Sequence, residues 1–390
     1  MQAQQQLSEF DTMLRSLRSL YIDPTKVDAV WQQKADAVRA KFKETTTAEE
    51  YASYVRDLLA TINDPNIQLG AIPDDSTVPA VNPEFAGGLG VQVDLPSPGH
   101  ERVLILAVSD ASAGQTAGIK PHDAIIAVDG RPVGTDPSVL LRVRGRVGSQ
   151  VVISVKTPGK AQRDVTVIRR AVAVVSPTNG RILQGTNYGY IQPGLATPPD
   201  QLRGEVTAQL RELSKNRQLD GLILDLRVMR GLDFPTEDLL ALFVNNSVAL
   251  KYQRGQVPNP LNRSSTAAAK VDIAGRNIAG SQTVPLVILV SSLTNGQAEA
   301  FAGLLQDLQR AVIVGNRTPG NVALLADVDL PLSGLRLRVP NAEYRPLSGT
   351  GWNKVGITPN TLTETQWEDY TDDNDPVLKL SLDQLNRGKS

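Results

Sequence analysis

The sequence predicts a multidomain α/β protein, and two observations predict it: the hydrophobic period changes twice along the chain, and its length allows more than one core. Residues 7–62 carry apolar side chains at steps of three and four, the period of a helix face. A following stretch breaks into short alternating runs separated by Gly, Pro, Asp and Ser, the pattern of short strands and turns. Beyond Ser176, strand-like and helical segments alternate, which indicates a largely parallel sheet covered by helices. A chain of 390 residues holds two to three domains at roughly 100–200 residues each. The expected division is a helical N-terminal bundle over 1–75, a β-rich domain over 76–172, an α/β core over 173–365, and a C-terminal helix over 366–390 that packs back on the scaffold.

In the bundle, Leu7, Phe10, Leu14, Leu17 and Tyr21 lie on one helical face, and Asp23-Pro24 ends that helix because the residue before proline is driven out of the α region. A second helix runs through Trp31, Ala35, Val38 and Phe42. The third opens at Thr47-Ala48-Glu49-Glu50, a capping-box pattern in which Thr47 and Glu50 satisfy each other's backbone donors. It continues through Tyr51, Val55, Leu58 and Ile62 to Asn63-Asp64-Pro65. Pro73 to Pro83 reads as a linker. Strands are expected at 90–95, 102–108, 124–128, 151–155 and 164–169, with a helical piece near 136–143, as in a compact barrel or sandwich. In the last part, strands are expected at 188–192, 222–226, 284–291 and 311–315, and helices at 201–213, 236–244 and 298–308, with a final helix at 376–385.

Composition excludes several chemistries. There is no cysteine and there are only two histidines, His100 and His122, so thiol nucleophiles, zinc-thiolate sites and iron-sulfur clusters are out, and neither a metal nor another cofactor is expected. Lys+Arg number 40 against 41 Asp+Glu, and aromatics make up 4%; neither a basic face nor a stacking platform argues for nucleic acid. The longest apolar runs, such as Val284 to Val290, fall well short of the ~20 residues of a membrane helix. The N-terminal MQAQQQ shows no charged region followed by an apolar core, so no secretory signal is expected in the chain as given.

The β-rich part carries a binding signal. Gly87-Gly88-Leu89-Gly90-Val91 runs directly into a strand, and such a loop can turn consecutive N–H groups inward to hold a carboxylate while the strand edge receives an extended peptide. Taken alone, Gly88 and Gly90 read first as a tight turn before a strand. With Ala117 to Val133 (AGIKPHDAIIAVDGRPV) and Leu140 to Val155 (LLRVRGRVGSQVVISV), the segment resembles a PDZ domain, in particular the permuted kind found in bacterial proteases. The resemblance implies that Gly88, Leu89, Gly90 and Val91 contact a peptide, and that Val139 and Val143 line the pocket for its last side chain, although both also suit a core. Asp123 and Asp129 read as turn or cap residues.

Three segments of the α/β part carry a second resemblance: Tyr188 to Leu195, Asp220 to Leu232 and Thr294 to Asn321. With the bundle and the PDZ-like segment they resemble the C-terminal-processing, or tail-specific, serine peptidases, which implies a ClpP/crotonase-like α/β protease-type core. That family uses a Ser-Lys dyad, the serine at a helix start and the lysine in a Gly-Lys pair. Aligned without a gap, Thr294, Glu299, Ala302, Gly303, Asp307, Arg310-Ala311-Val312, Gly315, Thr318 and Gly320 match, but the nucleophile position holds Gly296 and the lysine position Asn321. The oxyanion-loop positions hold Gly231 and Leu232, after Arg230, where the family has a glycine pair. Glycine has no side-chain oxygen, and an amide takes no proton near neutral pH. The expectation is a pseudoprotease that binds polypeptide C-termini or unfolded segments without cutting them. Its alternatives are a serine endopeptidase working through displaced residues such as Ser291, Ser292 or Lys354, or a small-molecule-binding relative of the fold. Glu299 and Asp307 are expected to brace the helix. The resemblance also implies an extracytoplasmic location, in the periplasm or cell envelope.

Overall fold

The computed structural model describes residues 3–72, 83–94, 102–109, 111–134, 137–171, 178–195, 197–229, 234–254, 266–347, 351–363, 365–371 and 374–387. The protein has a mixed α/β architecture of several sheets and helices. The expected linker at 73–83 lies outside the described residues except for Pro83, which starts a short 3-10 turn, Pro83–Phe85.

The first helix, Ala3–Leu20, buries Phe10, Met13, Leu14 and Leu17 on its predicted face. In the second, Ala29–Arg39, Asp28 caps the start by accepting from the Trp31 amide at 2.9 Å; Phe42 lies beyond the helix end but in the same core. The third, Ala48–Ala60, forms its capping box: the Glu50 amide donates to Thr47 Oγ1 at 3.1 Å and the Thr47 amide to Glu50 Oε2 at 2.8 Å. These helices do not close on one another alone. Their core includes Leu330, Leu337 and Val339, from a hairpin of Ala323–Leu330 and Leu335–Arg345. Strands Gln68–Ala71, Ser247–Arg254 and Thr266–Ile273 complete that sheet. None of its five strands was expected from sequence.

The β-rich module is an antiparallel sheet in the order Val91–Asp94, Val103–Val108, Ala124–Val128, Gln150–Lys156, Arg163–Ile168, with Arg131–Pro132 beside the third strand. The first five lie within a residue or two of their expected places, and Arg131–Pro132 was not expected. Leu89, Ile105, Ile125, Ile153 and Val167 form its core, and the helical piece is a 3-10 helix, Pro137–Val143.

In the third part, the sheet order is Asn179–Ile182, Tyr188–Gln192, Gly221–Asp225, Leu286–Val290, Val312–Gly315, Thr361–Leu362. The first pair is antiparallel and the rest are parallel. Leu286–Val290 is buried throughout, as a strand covered on both faces must be. One face meets helices Pro199–Leu213, Thr236–Phe243 and Gln297–Asp307 through Leu224, Ile288 and Ile313. The other meets the final helix, Pro376–Arg387, through Ile223, Val287, Val377 and Leu385.

A strap just before that last helix joins the core to the β-rich module. The Trp367 indole donates to His122 O at 2.8 Å, and Tyr370 stacks on the His122 ring with centroids 4.1 Å apart. Arg102 lies over Trp367 and pairs with Glu368 at 3.0 Å.

Candidate functional site

The strand Leu286–Val290 leads through Ser291–Gly296 into the helix Gln297–Asp307, at the carboxyl ends of the parallel strands where open α/β sheets place their sites. The connecting turn is fixed from both sides. Thr294 Oγ1 donates to Leu226 O at 2.8 Å and accepts from the Ser291 amide at 2.9 Å, while the Asn295 amide donates to Met229 O at 3.1 Å. Gly296 then caps the helix at φ 67° and ψ −142°, backbone angles that a side chain adopts only under strain.

Gly296 and Asn321, 25 positions apart in sequence, meet here: the Gly296 amide donates to Asn321 O at 2.8 Å. The Asn321 segment hangs on the buried Glu299 carboxylate. Glu299 accepts from the Gly320 amide at 2.7 Å, from the Asn321 amide at 2.9 Å and from the Thr318 hydroxyl. Burial pushes the Glu299 carboxyl above the usual glutamate range, although all three donors favour its ionised form. Thr318 Oγ1 also accepts from the Ile357 amide at 2.7 Å. Gly320, at φ 84°, brings its backbone so close to the 354–357 turn that an added Cβ would lie 2.6 Å from the Val355 nitrogen. Asp307 holds a different segment, accepting from the Leu347 amide at 2.8 Å.

No side-chain hydroxyl stands at Gly296 and no titratable amine at Asn321. Ser291 is committed elsewhere: its hydroxyl donates to Arg227 O at 2.5 Å and accepts from the Leu293 amide at 3.0 Å. Ser292 and Lys354 are exposed, and Lys354 meets the Gly320 segment through its backbone amide, at 2.7 Å. Gly231 and Leu232, with Arg230, lie outside the described residues. The preceding Asp225-Leu226-Arg227 is held by buried ion pairs and hydrogen bonds. Burial would push Asp225 toward its neutral form, but Arg227, paired to it at 2.6 Å, and the Tyr190 hydroxyl at 2.5 Å hold it below the usual aspartate range. Arg227 also pairs with Asp375 at 2.8 Å. Sequence reasoning missed Gln297, whose amide donates to Val322 O at 3.1 Å and Ala323 O at 3.2 Å; the one available signal was a second polar residue beside Glu299 in the first turn of the helix.

In the β-rich module, Gly88 pairs with Arg170 in a short antiparallel bridge, and Val91 opens the strand facing Val108. Between them Leu89 is buried and Gly90 turns at φ 68°, its backbone so close to Ser112 that an added Cβ would lie 2.5 Å from that side chain. The carbonyls of Leu89 and Gly90 accept from Gly114 and Ser109 at 2.7 and 2.9 Å. Their two amides donate to no group among the described residues. Val143 is half-buried against the module core; Val139 lies in the same 3-10 helix, its side chain outside the described residues. Asp123 is fully buried, accepting from Thr157 at 2.6 Å and the Lys120 amide at 3.1 Å, and Asp129 accepts from the Val152 amide at 2.9 Å. Both act as turn and brace residues. Among the described residues no group of His, Asp and Glu is arranged to hold a metal ion, and no helix is long and apolar enough to cross a membrane.

Residues 187–363, which hold the parallel sheet, the helix capped by Gly296 and the Glu299-held turn, match the model of peptidase family S41. Over most of its length the chain is similar to carboxyl-terminal-processing proteases. It is 26% identical to that of Synechocystis sp. across 96% of this chain and 85% of the relative. It is 27% identical to the chloroplastic C-terminal processing peptidase of Tetradesmus obliquus, across 90% and 76%. Among solved structures, the photosystem II D1 C-terminal processing protease superposes with a TM-score of 0.60 at 23% identity, covering 92% of this chain and 93% of its own. The tricorn protease superposes with a TM-score of 0.53 at 15% identity, with 37% of its length covered. At these identities the structural likeness defines the fold.

Proposed function

We propose that this protein is a tail-binding pseudoprotease: a carboxyl-terminal-processing-peptidase scaffold that captures polypeptide C-termini or unfolded segments through a PDZ-type module and does not hydrolyse them. The observation that carries the reading is the pair Gly296 and Asn321, hydrogen-bonded backbone to backbone at 2.8 Å where the resemblance calls for a serine and a lysine. An attacking oxygen and a base to deprotonate it are both needed for acyl transfer, and neither residue type supplies one. Ser291 is no substitute, since its proton and a lone pair are already engaged.

Binding rests on the loop before Val91. The Leu89 and Gly90 amides have no acceptor among the described residues, and two adjacent N–H groups left so at a glycine turn are suited to hold an anion. The strand that follows offers a peptide its edge. Relatives from cyanobacteria and a chloroplast are named for C-terminal processing; the matching role here is recognition of an exposed tail in an extracytoplasmic compartment. The test compares a peptide ending in a free apolar residue with its C-terminal amide by isothermal titration calorimetry. The acid is expected to bind at least about 10-fold more tightly, a difference of ~1.4 kcal/mol, and equal affinities would refute the carboxylate site.

A further inference from the structure

Beside the Gly87–Val91 loop runs a segment whose side chains that reading leaves unused. Gly87 and Gly145 exchange backbone hydrogen bonds at 2.7 and 3.1 Å, so residues 141–147 lie alongside the loop. The buried Arg169 fixes this segment, donating to Arg142 O at 2.7 Å and Val143 O at 3.1 Å. It presents apolar and cationic groups together. Leu141 is 68% exposed and Val147 54%, and Phe85, two residues before Gly87, is 54% exposed. Arg146 is neutralised by Glu84. Arg142 and Arg144, however, have no carboxylate partner among the described residues, and neither does Arg170, whose guanidinium meets only the Ala111 carbonyl, at 2.8 Å, next to the Ser112 that Gly90 touches.

We infer that this face selects acidic tails: the preferred partner is a polypeptide C-terminus with an apolar last residue and Asp or Glu among the residues just before it. The inference rests on the tail-binding reading above and adds the substrate class. Arg142, Arg144 and Arg170, none with a carboxylate partner among the described residues, put positive charge beside one loop, which repels a basic segment and attracts an acidic one, while Phe85, Leu141 and Val147 supply apolar area along the same path. Charge of this kind governs which partner is accepted and how fast it arrives, and its effect shrinks as salt rises.

Four peptides of equal length and identical apolar last residue are titrated against the full chain: acidic upstream, neutral upstream, basic upstream, and the acidic one amidated. At low salt the order expected is acidic, neutral, basic, with about 10-fold between the first and second, narrowing at high salt. In Arg142→Gln/Arg144→Gln the acidic and neutral peptides should bind alike, and in Arg144→Glu the basic peptide should gain; circular dichroism checks that each variant is folded. If the free acid still outbinds the amide but acidic and neutral peptides bind equally, the acidic preference is wrong and tail binding stands. If acid and amide bind equally, tail binding itself fails. A thymidine oligonucleotide that competes as well as the acidic peptide would also overturn the inference, by showing a surface for polyanions rather than tails.

Discussion

At Gly296 the backbone caps the helix Gln297–Asp307 and donates to Asn321 O. Its φ of 67° with ψ of −142° suits glycine, so Gly296→Ser should lose on the order of 1–3 kcal/mol of stability in urea unfolding and, with Asn321 still unable to act as base, gain no hydrolysis. Adding Asn321→Lys supplies both missing groups, and the double variant separates lost chemistry from a lost oxyanion loop: hydrolysis by it would show that only the dyad had been removed. Glu299 is the opposite case, a side chain that does no chemistry and holds the turn. Glu299→Ala leaves the Gly320 and Asn321 amides and the Thr318 hydroxyl without their acceptor, and should cost on the order of 3 kcal/mol, read by denaturant midpoint. The expectation that the Ser-Lys dyad is missing comes from two positions in a gapless motif, and the fold brings those two, Gly296 and Asn321, into backbone contact. The role of Glu299 as the anchor of a turn some 20 residues away was legible only as a brace, because its partners are brought together by the fold.

Among the elements, the third helix was read correctly down to its cap, since Thr47 and Glu50 meet by local spacing alone. Thr47→Ala should cost ~1 kcal/mol, seen as a lower denaturant midpoint. The Ala323–Leu330 and Leu335–Arg345 hairpin was missed although Leu335-Arg336-Leu337-Arg338-Val339 alternates in the sequence; only the fold shows what that alternation serves, since Asp327 and Asp329 pair with Arg338 and Arg336 across the strands on the exposed face, while Leu337 and Val339 face helices more than 250 residues earlier. The strap at 366–371 was also invisible, since nothing local marks Trp367 and Tyr370 as partners of His122. Burial lowers the His122 pKa, helped by Arg227 and opposed by Asp375, Asp225 and Asp123. The docked form therefore favours the neutral ring more than the undocked form, whose histidine titrates near the ordinary 6.5. Docking is at full strength above that value and weakens as pH falls through it. Hydrogen exchange at the Trp367 indole should accelerate, relative to an exposed indole, as pH drops from 7 to 5. His122→Asn, which tolerates the φ of 71°, should remove that pH dependence.

For the whole molecule, the N-terminal helices and the far sheet share one core, so they should unfold together. Leu337→Ala, at a fully buried position in that core, should cost ~2–5 kcal/mol and lower helix and sheet signals in a single transition. The Glu299-held turn and the Asp225-Arg227-Asp375 linkage hold the core together without a serine or a lysine at positions 296 and 321. The central claim is therefore capture without cleavage. It is tested most directly by incubating the purified chain with an unstructured polypeptide bearing a free apolar C-terminus and recording intact masses of the bound and free fractions over time. The account predicts a complex whose polypeptide keeps its full mass; shortened products that accumulate with time and disappear in a Ser291→Ala/Ser292→Ala variant would contradict it.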